Sequence, residues 1–493
     1  MGKYLYGASV QGIQAFIFAS SKLKEIIGAS EIIEIICTDL FKNVAAEYGK
    51  YDDENLLLGA AGNIKYIFNS REECEAVFKH FPRTVMTQAP GITLSQGAVE
   101  LDIELKDAND KLEEILRVQR NIGSKRHDLG WMISERSRRT GNPSIGLDRT
   151  SKEFIDQAQK KKREASKSGG NTLLRKMFSE DRLPQNDAAE MQELLHDRQE
   201  GWLAVIHADG NALGQKLIKL KEEISLENYQ SAFREVSENL KEATEAAAGK
   251  AYRRLEQNTK LNKLIARPVI LGGDDLTIII DGKFALDFTH YFLELFEKET
   301  QKAFANFERK YDGFSLFSNG LTACAGIAYV KPNFPFHYAA TLSETLCKHA
   351  KKVSKEVDSN VAPSSLMFHK VHSSFVEDFK TIKEQELTAG NTDLDFGPYF
   401  LESSSRLKSN SQTIAQLKKW VECIQEEGAP ASPIRNWLTD LAFNEERAKQ
   451  KMKRIISLNK GGYADKLGLN LDMIGKGKAT HLHDVLSIAS IQK

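Results

Sequence analysis

The chain has 493 residues, 41% of them apolar and 28% charged, the composition of a globular protein of about three domains. Its 68 Lys and Arg balance 68 Asp and Glu, which excludes a global basic field for nucleic acid but not a local patch. The five cysteines, Cys37, Cys74, Cys324, Cys347 and Cys423, include no C-x-x-C pair. That pattern excludes a zinc ribbon and a secreted disulfide framework and points to a reduced, cytoplasmic setting.

In chain order, residues 3–10 (KYLYGASV) and 13–18 (IQAFIF) read as strand-like or buried apolar segments. A helical stretch runs from about 22 to 47. Residues 55–58 and 64–68 read as strands around the turn Gly59-Ala60-Ala61-Gly62-Asn63. Residues 71–81 are helical, and 92–104 alternate as a strand. The order is β-α-β-β-α-β. It returns with a strand at 202–208, helices from about 213 to 258 interrupted near 225, and strands at 268–271 and 276–280. A helix at 284–309 and a strand at 320–330 complete it. Two ferredoxin-like units follow from this repeat. Residues 105–200, between them, are charged and mostly helical, with a basic run Lys160-Lys161-Lys162-Arg163. The plain expectation for that run is a solvated helix face, the alternative a phosphate-contacting patch. After 375 the chain reads as helical, with a break at Gly428-Ala429-Pro430.

The chemistry concentrates in the second unit. In Leu271-Gly272-Gly273-Asp274-Asp275-Leu276, two glycines permit a tight hairpin and close approach of a nucleotide. Adjacent ionised carboxylates repel unless a cation lies between them, and hard oxygen donors suit Mg²⁺ or Mn²⁺. The first strand of the unit ends His207-Ala208-Asp209-Gly210-Asn211 and should lie beside the hairpin, bringing Asp209 to Asp274 and Asp275. Three carboxylates at one sheet end suit a two-metal site. Without a ligand, the hairpin would be an ordinary turn and Asp209 a helix N-cap. The helix that opens at His337-Tyr338 carries Lys351, within reach of a triphosphate tail or on a solvated face. The first unit lacks such carboxylates and reads as a structural lobe that completes the nucleotide pocket.

These segments, Ala208-Asp209-Gly210-Asn211, Gly272-Gly273-Asp274-Asp275 and the helix 337–352, resemble the large subunit of type III CRISPR effector complexes, a polymerase/cyclase with two palm domains. Weaker likenesses lie in Gly12–Ile17, Ser21–Glu25, Thr140–Ser144 and Gly397-Pro398-Tyr399. The resemblance implies an α+β fold with a first, non-catalytic palm at 1–104, a helical linker at 105–200, a second palm at 201–374 and a helical C-terminal domain at 375–493. It implies a nucleotidyltransferase that converts ATP to a cyclic oligoadenylate in antiviral defence. Asp209, Asp274 and Asp275 would be catalytic metal ligands, and Gly272, Gly273, Asn211 and Lys351 would bind nucleotide. Expected partners are ATP, other effector subunits with guide and target RNA, and a second copy of the chain.

Two departures matter. Many relatives carry an N-terminal HD nuclease domain, whereas here the first palm is expected from residue 3, and His127-Asp128, His196-Asp197 and His483-Asp484 read as incidental, so DNase activity is not expected. The cysteine-rich zinc site that many relatives carry between the palms is also missing. A free-standing cyclase making a cyclic dinucleotide therefore stays open. So do a catalytically silent scaffold in an RNA-guided complex and a GTP-using enzyme, although Leu276 follows the acidic pair where GTP cyclases normally place Phe.

Overall fold

The apolar first residues form β1 (Tyr4–Gln11), buried on both faces as one of the two inner strands of a four-stranded antiparallel sheet. The computed structural model describes residues 2–493 except 61, 103, 123–133, 150, 170–171, 179–190, 197–200, 260–262, 312–314, 318, 373–378, 403–406, 408–411 and 459. After β1 come α1 (Ile13–Ile17), α2 (Leu23–Ile35), α3 (Phe41–Tyr48), β2 (Leu56–Ala60), β3 (Asn63–Phe68), α4 (Arg71–Gln88) and β4 (Thr93–Glu100). The sheet order β2-β3-β1-β4 is that of a ferredoxin-like unit.

Residues 13–18 correct the strand expectation. Gly12 takes a left-handed φ of 65°, which turns the chain out of β1 into helix α1 and buries Phe16 and Ile17. A short apolar run cannot by itself tell strand from buried helix.

Along β1, Tyr6 faces the helices and stacks on Phe41, while Leu5 faces the other way. There α5 (Leu105–Asn121) covers it with Ala108, Leu112 and Leu116. A Cβ on Gly7 would lie 2.7 Å from Leu112, so the bare backbone lets α5 sit close. The segment expected to be a helical linker thus supplies a third layer to the first unit.

It continues with a hairpin, β5 (Gly146–Asp148) and β6 (Glu153–Ile155), then α6 (Gln157–Gly169) and α7 (Thr172–Met177). Its basic run is split: Lys160 stays on the solvated face, as expected, beside Glu164, whereas Lys162 and Arg163 turn inward. Lys162 is buried, donates to the Phe16 carbonyl and lies 4.0 Å from the Phe16 ring centroid. Burial pushes its pKa down to about 8. Arg163 donates to the fully buried carboxylate of Glu25 at 2.8 Å and to Asp148 at 2.6 Å. The charges face inward because α6 packs on α2, whose Gly28 leaves room for the Lys162 carbonyl.

The second unit comprises β7 (Leu203–Gly210), α8 (Leu213–Glu223), α9 (Leu226–Thr259), β8 (Ala266–Gly272), β9 (Asp275–Asp281), α10 (Gly282–Ala303), α11 (Phe307–Lys310) and β10 (Ala323–Val330). Helix α12 (Phe336–Val357) then crosses to β11 (Ser365–Lys370), which runs parallel to β10. Beyond α13 (Phe379–Gln385) lie β12 (Thr388–Ala389), β13 (Thr392–Asp393) and β14 (Tyr399–Phe400). The six-stranded order is β14-β11-β10-β7-β9-β8, so the four expected strands keep the ferredoxin-like order and two more extend it past β10. Because β14 comes from residues beyond 375, the C-terminal region and the second sheet share an edge.

The rest is helical: α14 (Ile414–Gln425), α15 (Ala431–Phe443), α16 (Glu445–Leu458), α17 (Tyr463–Lys466) and α18 (Leu482–Gln492). The break at Gly428–Pro430 separates α14 from α15, and β15 (Lys478–Ala479) pairs with β13. All five cysteines are buried and free. Among the described residues, no helix is long and apolar enough to cross a membrane.

Gly326 of β10 sets how closely α12 lies on the sheet, since a Cβ there would lie 1.9 Å from the Ser343 carbonyl oxygen. Gly326→Ala should therefore destabilise the chain by about 1–3 kcal/mol, the usual cost of overpacking. A lowered thermal midpoint checks this; an unchanged one would show that α12 can shift freely.

Candidate active site

The site is built from the register of β7 against β9. His207 pairs with Thr277 and Ala208 with Leu276, so the next step brings Asp209 beside Asp275. Alternation puts His207 and Asp209 on one face of β7. The β8–β9 hairpin closes with Gly272 opposite Asp275, leaving Gly273 and Asp274 as a two-residue loop. Gly273 has a φ of 62°, a conformation that belongs to glycine. Gly210 ends β7 against Asp274, and a Cβ there would lie 2.9 Å from the Asp274 side chain. That missing methyl lets the loop close over the strand end.

One ligand atom from each of His207, Asp209 and Asp275 lies within 4.8 Å of the others. The carboxylates strain against one another. Burial and then the Asp209 charge raise the Asp274 pKa to about 6. Burial, followed by Asp274 and Asp209, pushes Asp275 well above the usual carboxylate range. Burial also holds the His207 ring below its ordinary pKa.

Lys351 of α12 supplies the compensating charge. Its ammonium pairs with Asp209 Oδ2 and donates to the Gly210 carbonyl at 2.8 Å. An ammonium drawn onto this cluster, together with its hard donor set, marks a place suited to a divalent cation.

Two side chains anchor the loop from outside the sheet. Thr244 of α9, fully buried, shares its single hydroxyl proton between the Gly273 carbonyl at 2.6 Å and the Leu240 carbonyl at 2.8 Å. Lys176 of α7 reaches the Leu271 carbonyl at 3.5 Å while pairing with Glu34 of α2 at 2.7 Å and Glu245 of α9 at 3.5 Å. One ammonium thus ties the first unit, the connecting helix and the acidic loop together.

The loop opens on a cleft of about 420 Å³ between the units. One wall is Leu56–Ala60 and Asn63 of the first sheet; the other is Leu213 and Leu217 of α8, Phe233 and Lys241 of α9, and Gly272–Asp275.

Of the residues singled out in the sequence, Asp209, Asp274, Asp275, Gly272 and Gly273 come together. Lys351 joins them, but on Asp209. Asn211 does not line the cleft. It is buried, donates to Thr322 Oγ1 at 3.0 Å and to the Ala362 carbonyl at 3.4 Å, and pins the end of β7 to its neighbours. Both bonds come from Nδ2, while Oδ1 is buried without a hydrogen-bond partner.

Sequence reasoning passed over His207, Gly210, Thr244 and Lys176. His207 was legible as the residue two before Asp209 on a strand. Thr244 and Lys176 had no local signal. Of the His-Asp dipeptides, His127-Asp128 and Asp197 lie outside the described residues. Asp484 is buried and accepts from the Tyr399 hydroxyl at 2.7 Å, a structural bond.

The sheet order, with acidic residues at one end of it, is that of a palm domain. Residues 202–359 match the family described as Cas10/Cmr2, second palm domain. Among solved structures, the chain is similar to the Csm1–Csm4 subcomplex of the type III-A CRISPR-Csm interference complex, at 13% identity and a TM-score of 0.57. That likeness covers 100% of this chain and 69% of the other. It is also similar to the Csm1–Csm4 cassette in complex with pppApA, at 12% identity, a TM-score of 0.56 and coverage of 100% and 69%. For the cassette in complex with cA3 the values are 12%, 0.55, 100% and 69%. No curated protein matches the chain. The resemblance to the type III large subunit and the two-palm α+β architecture are borne out.

Removing the Thr244 hydroxyl strands the Gly273 carbonyl. Thr244→Val should cost about 1–3 kcal/mol and loosen the loop, whereas Thr244→Ser should restore it. Hydrogen exchange at residues 271–276 reads the difference.

The Asp274 shift gives a second test. Its folded pKa lies above the ordinary value of 3.8, so folding favours the protonated form. In metal-free protein that stabilisation is complete below about pH 4 and is lost as pH rises through about 6. Asp274→Asn should therefore stabilise the metal-free chain at about pH 7.5 by on the order of 2 kcal/mol, with the gain gone near pH 4. A gain that does not shrink on acidification would contradict the raised pKa.

Proposed function

We propose that the chain is a metal-dependent nucleotidyltransferase that joins ATP into a cyclic oligoadenylate or cyclic dinucleotide, as a subunit of a type III CRISPR-type defence assembly. The observation that carries the reading is the convergence of Asp209 with Asp274 and Asp275, the latter two lining the cleft between the two units. Its volume of about 420 Å³ falls within the range of small-ligand sites.

In this reading the 3′-hydroxyl of one ATP attacks the α-phosphorus of another, a P–O bond forms, and pyrophosphate leaves. Asp209 and Asp275, with Asp274 beside them, would hold Mg²⁺ or Mn²⁺. The bound metal supplies positive charge at the reacting phosphate and makes the attacking hydroxyl more acidic. The chain's own residues do the positioning. Gly273, open above its Cα, admits a phosphate to the backbone. Lys351 balances the carboxylates before substrate arrives and is placed to turn toward the phosphate tail. The apolar wall of Leu56–Leu58, Leu213 and Leu217 excludes water from a nucleobase. Asn211 acts only by holding the end of β7. The structural neighbours pair with Csm4, which supports a second effector subunit as partner.

The test is incubation of the purified chain with α-labelled ATP and Mg²⁺ or Mn²⁺, with phosphatase-resistant products resolved by mass spectrometry. A cyclic product is expected, reduced at least about 100-fold in the Asp274→Ala/Asp275→Ala variant. If no product forms even with effector subunits and target RNA added, the chain is a scaffold and the reading fails.

A further inference from the structure

We infer that His207 is a nitrogen ligand of the metal held by Asp209 and Asp275, and that it biases the site toward Mn²⁺ over Mg²⁺. The inference rests on the nucleotidyl-transfer reading for the presence of a metal and adds the identity of a ligand outside the acidic motif.

Three observations carry it. The alternation of β7 places the imidazole on the same face as Asp209, and its ligand atom falls within the 4.8 Å cluster with Asp275. The ring is buried to 9% exposure at the cluster's inner side, so it is part of the sheet's fixed framework. Its Nδ1 lies 3.0 Å from Thr277 Oγ1, on the strand opposite. With Thr277 accepting from Nδ1–H, the ring is held in the tautomer that leaves the Nε2 lone pair for a metal. This is the outer-sphere partner that ligating histidines usually have.

Asp274 is the less apt third ligand. It occupies the outer loop position against Gly210 and lies outside the 4.8 Å group, whereas His207 closes that group from within. The chemistry follows from the donors. An all-oxygen set suits Mg²⁺, which keeps strict octahedral geometry and dehydrates reluctantly. One imidazole nitrogen favours first-row transition ions, of which Mn²⁺ is the weakest-binding, over Mg²⁺.

The test uses the full chain with Mn²⁺ alone. Electron spin-echo envelope modulation of bound Mn²⁺ reads a directly bonded ¹⁴N. A nitrogen coupling is expected in the native chain. It should be lost in His207→Gln and in Asp209→Asn/Asp275→Asn. Competition against Mg²⁺ should show the Mn²⁺ preference falling about tenfold in His207→Gln and Thr277→Val. Mn²⁺ bound through Asp209 and Asp275 without nitrogen coupling would overturn the role of His207 and leave the metal reading standing. A coupling that persists in the double Asp variant would place the nitrogen elsewhere and likewise overturn it. Absence of Asp-dependent Mn²⁺ binding would sink both. Should His207→Gln fail to fold, the native spectrum and the double Asp variant still decide.

Discussion

Like charges held close together are the constraint on which the rest of this structure depends. Asp209, Asp274 and Asp275 are brought to one end of a sheet by strand register, and two of them are pushed toward their neutral forms by burial and by each other. Such a cluster is costly alone and useful with a cation. The surrounding architecture answers that cost. Helix α12 crosses against β10, over the bare backbone of Gly326, and delivers Lys351 to Asp209. Thr244 and Lys176 hold the loop carbonyls so that it cannot relax outward.

The two ferredoxin-like units show the same topology with and without that charge. In the first, β1 carries a neutral Ser9 near its end, whose hydroxyl donates to Asn63 Oδ1 at 2.8 Å. Among the described residues the clustered metal-ligating side chains lie in the second unit. What this unit contributes instead is a wall: Leu56–Ala60 face the acidic loop across the cleft. It also contributes Glu34, which steers Lys176 toward the loop's backbone. The nominally inactive unit is thereby bonded, through one side chain, to the chemistry of the other.

Much of this was legible in the sequence because strands and tight turns are written locally. Apolar runs marked β1 and β7, alternation marked β4, and Gly272-Gly273 announced a hairpin whose first loop residue needs a positive φ. The repeat of element order then implied which strands are neighbours, and so that Asp209 meets Asp275. The misreadings share a cause. Residues 13–17 are too short for periodicity to separate a buried helix from a strand. Lys162 and Arg163 look like a solvated run until α2 presents a buried Glu25 to them. Asn211, two residues past Asp209, gives its amide nitrogen to Thr322 and Ala362, contacts that no local pattern records.

The sequence by itself determined the α+β class, the paired units and the acidic residues of the second, since each rests on spacing within one element or one turn. Only the tertiary structure decided that Lys351 sits on Asp209 and that His207 belongs to the cluster. It alone decided that Thr244 and Lys176 brace the loop and that both units wall the cleft. These are contacts between residues tens to hundreds of positions apart. Their existence depends on how closely helices approach the sheets, which no local pattern records.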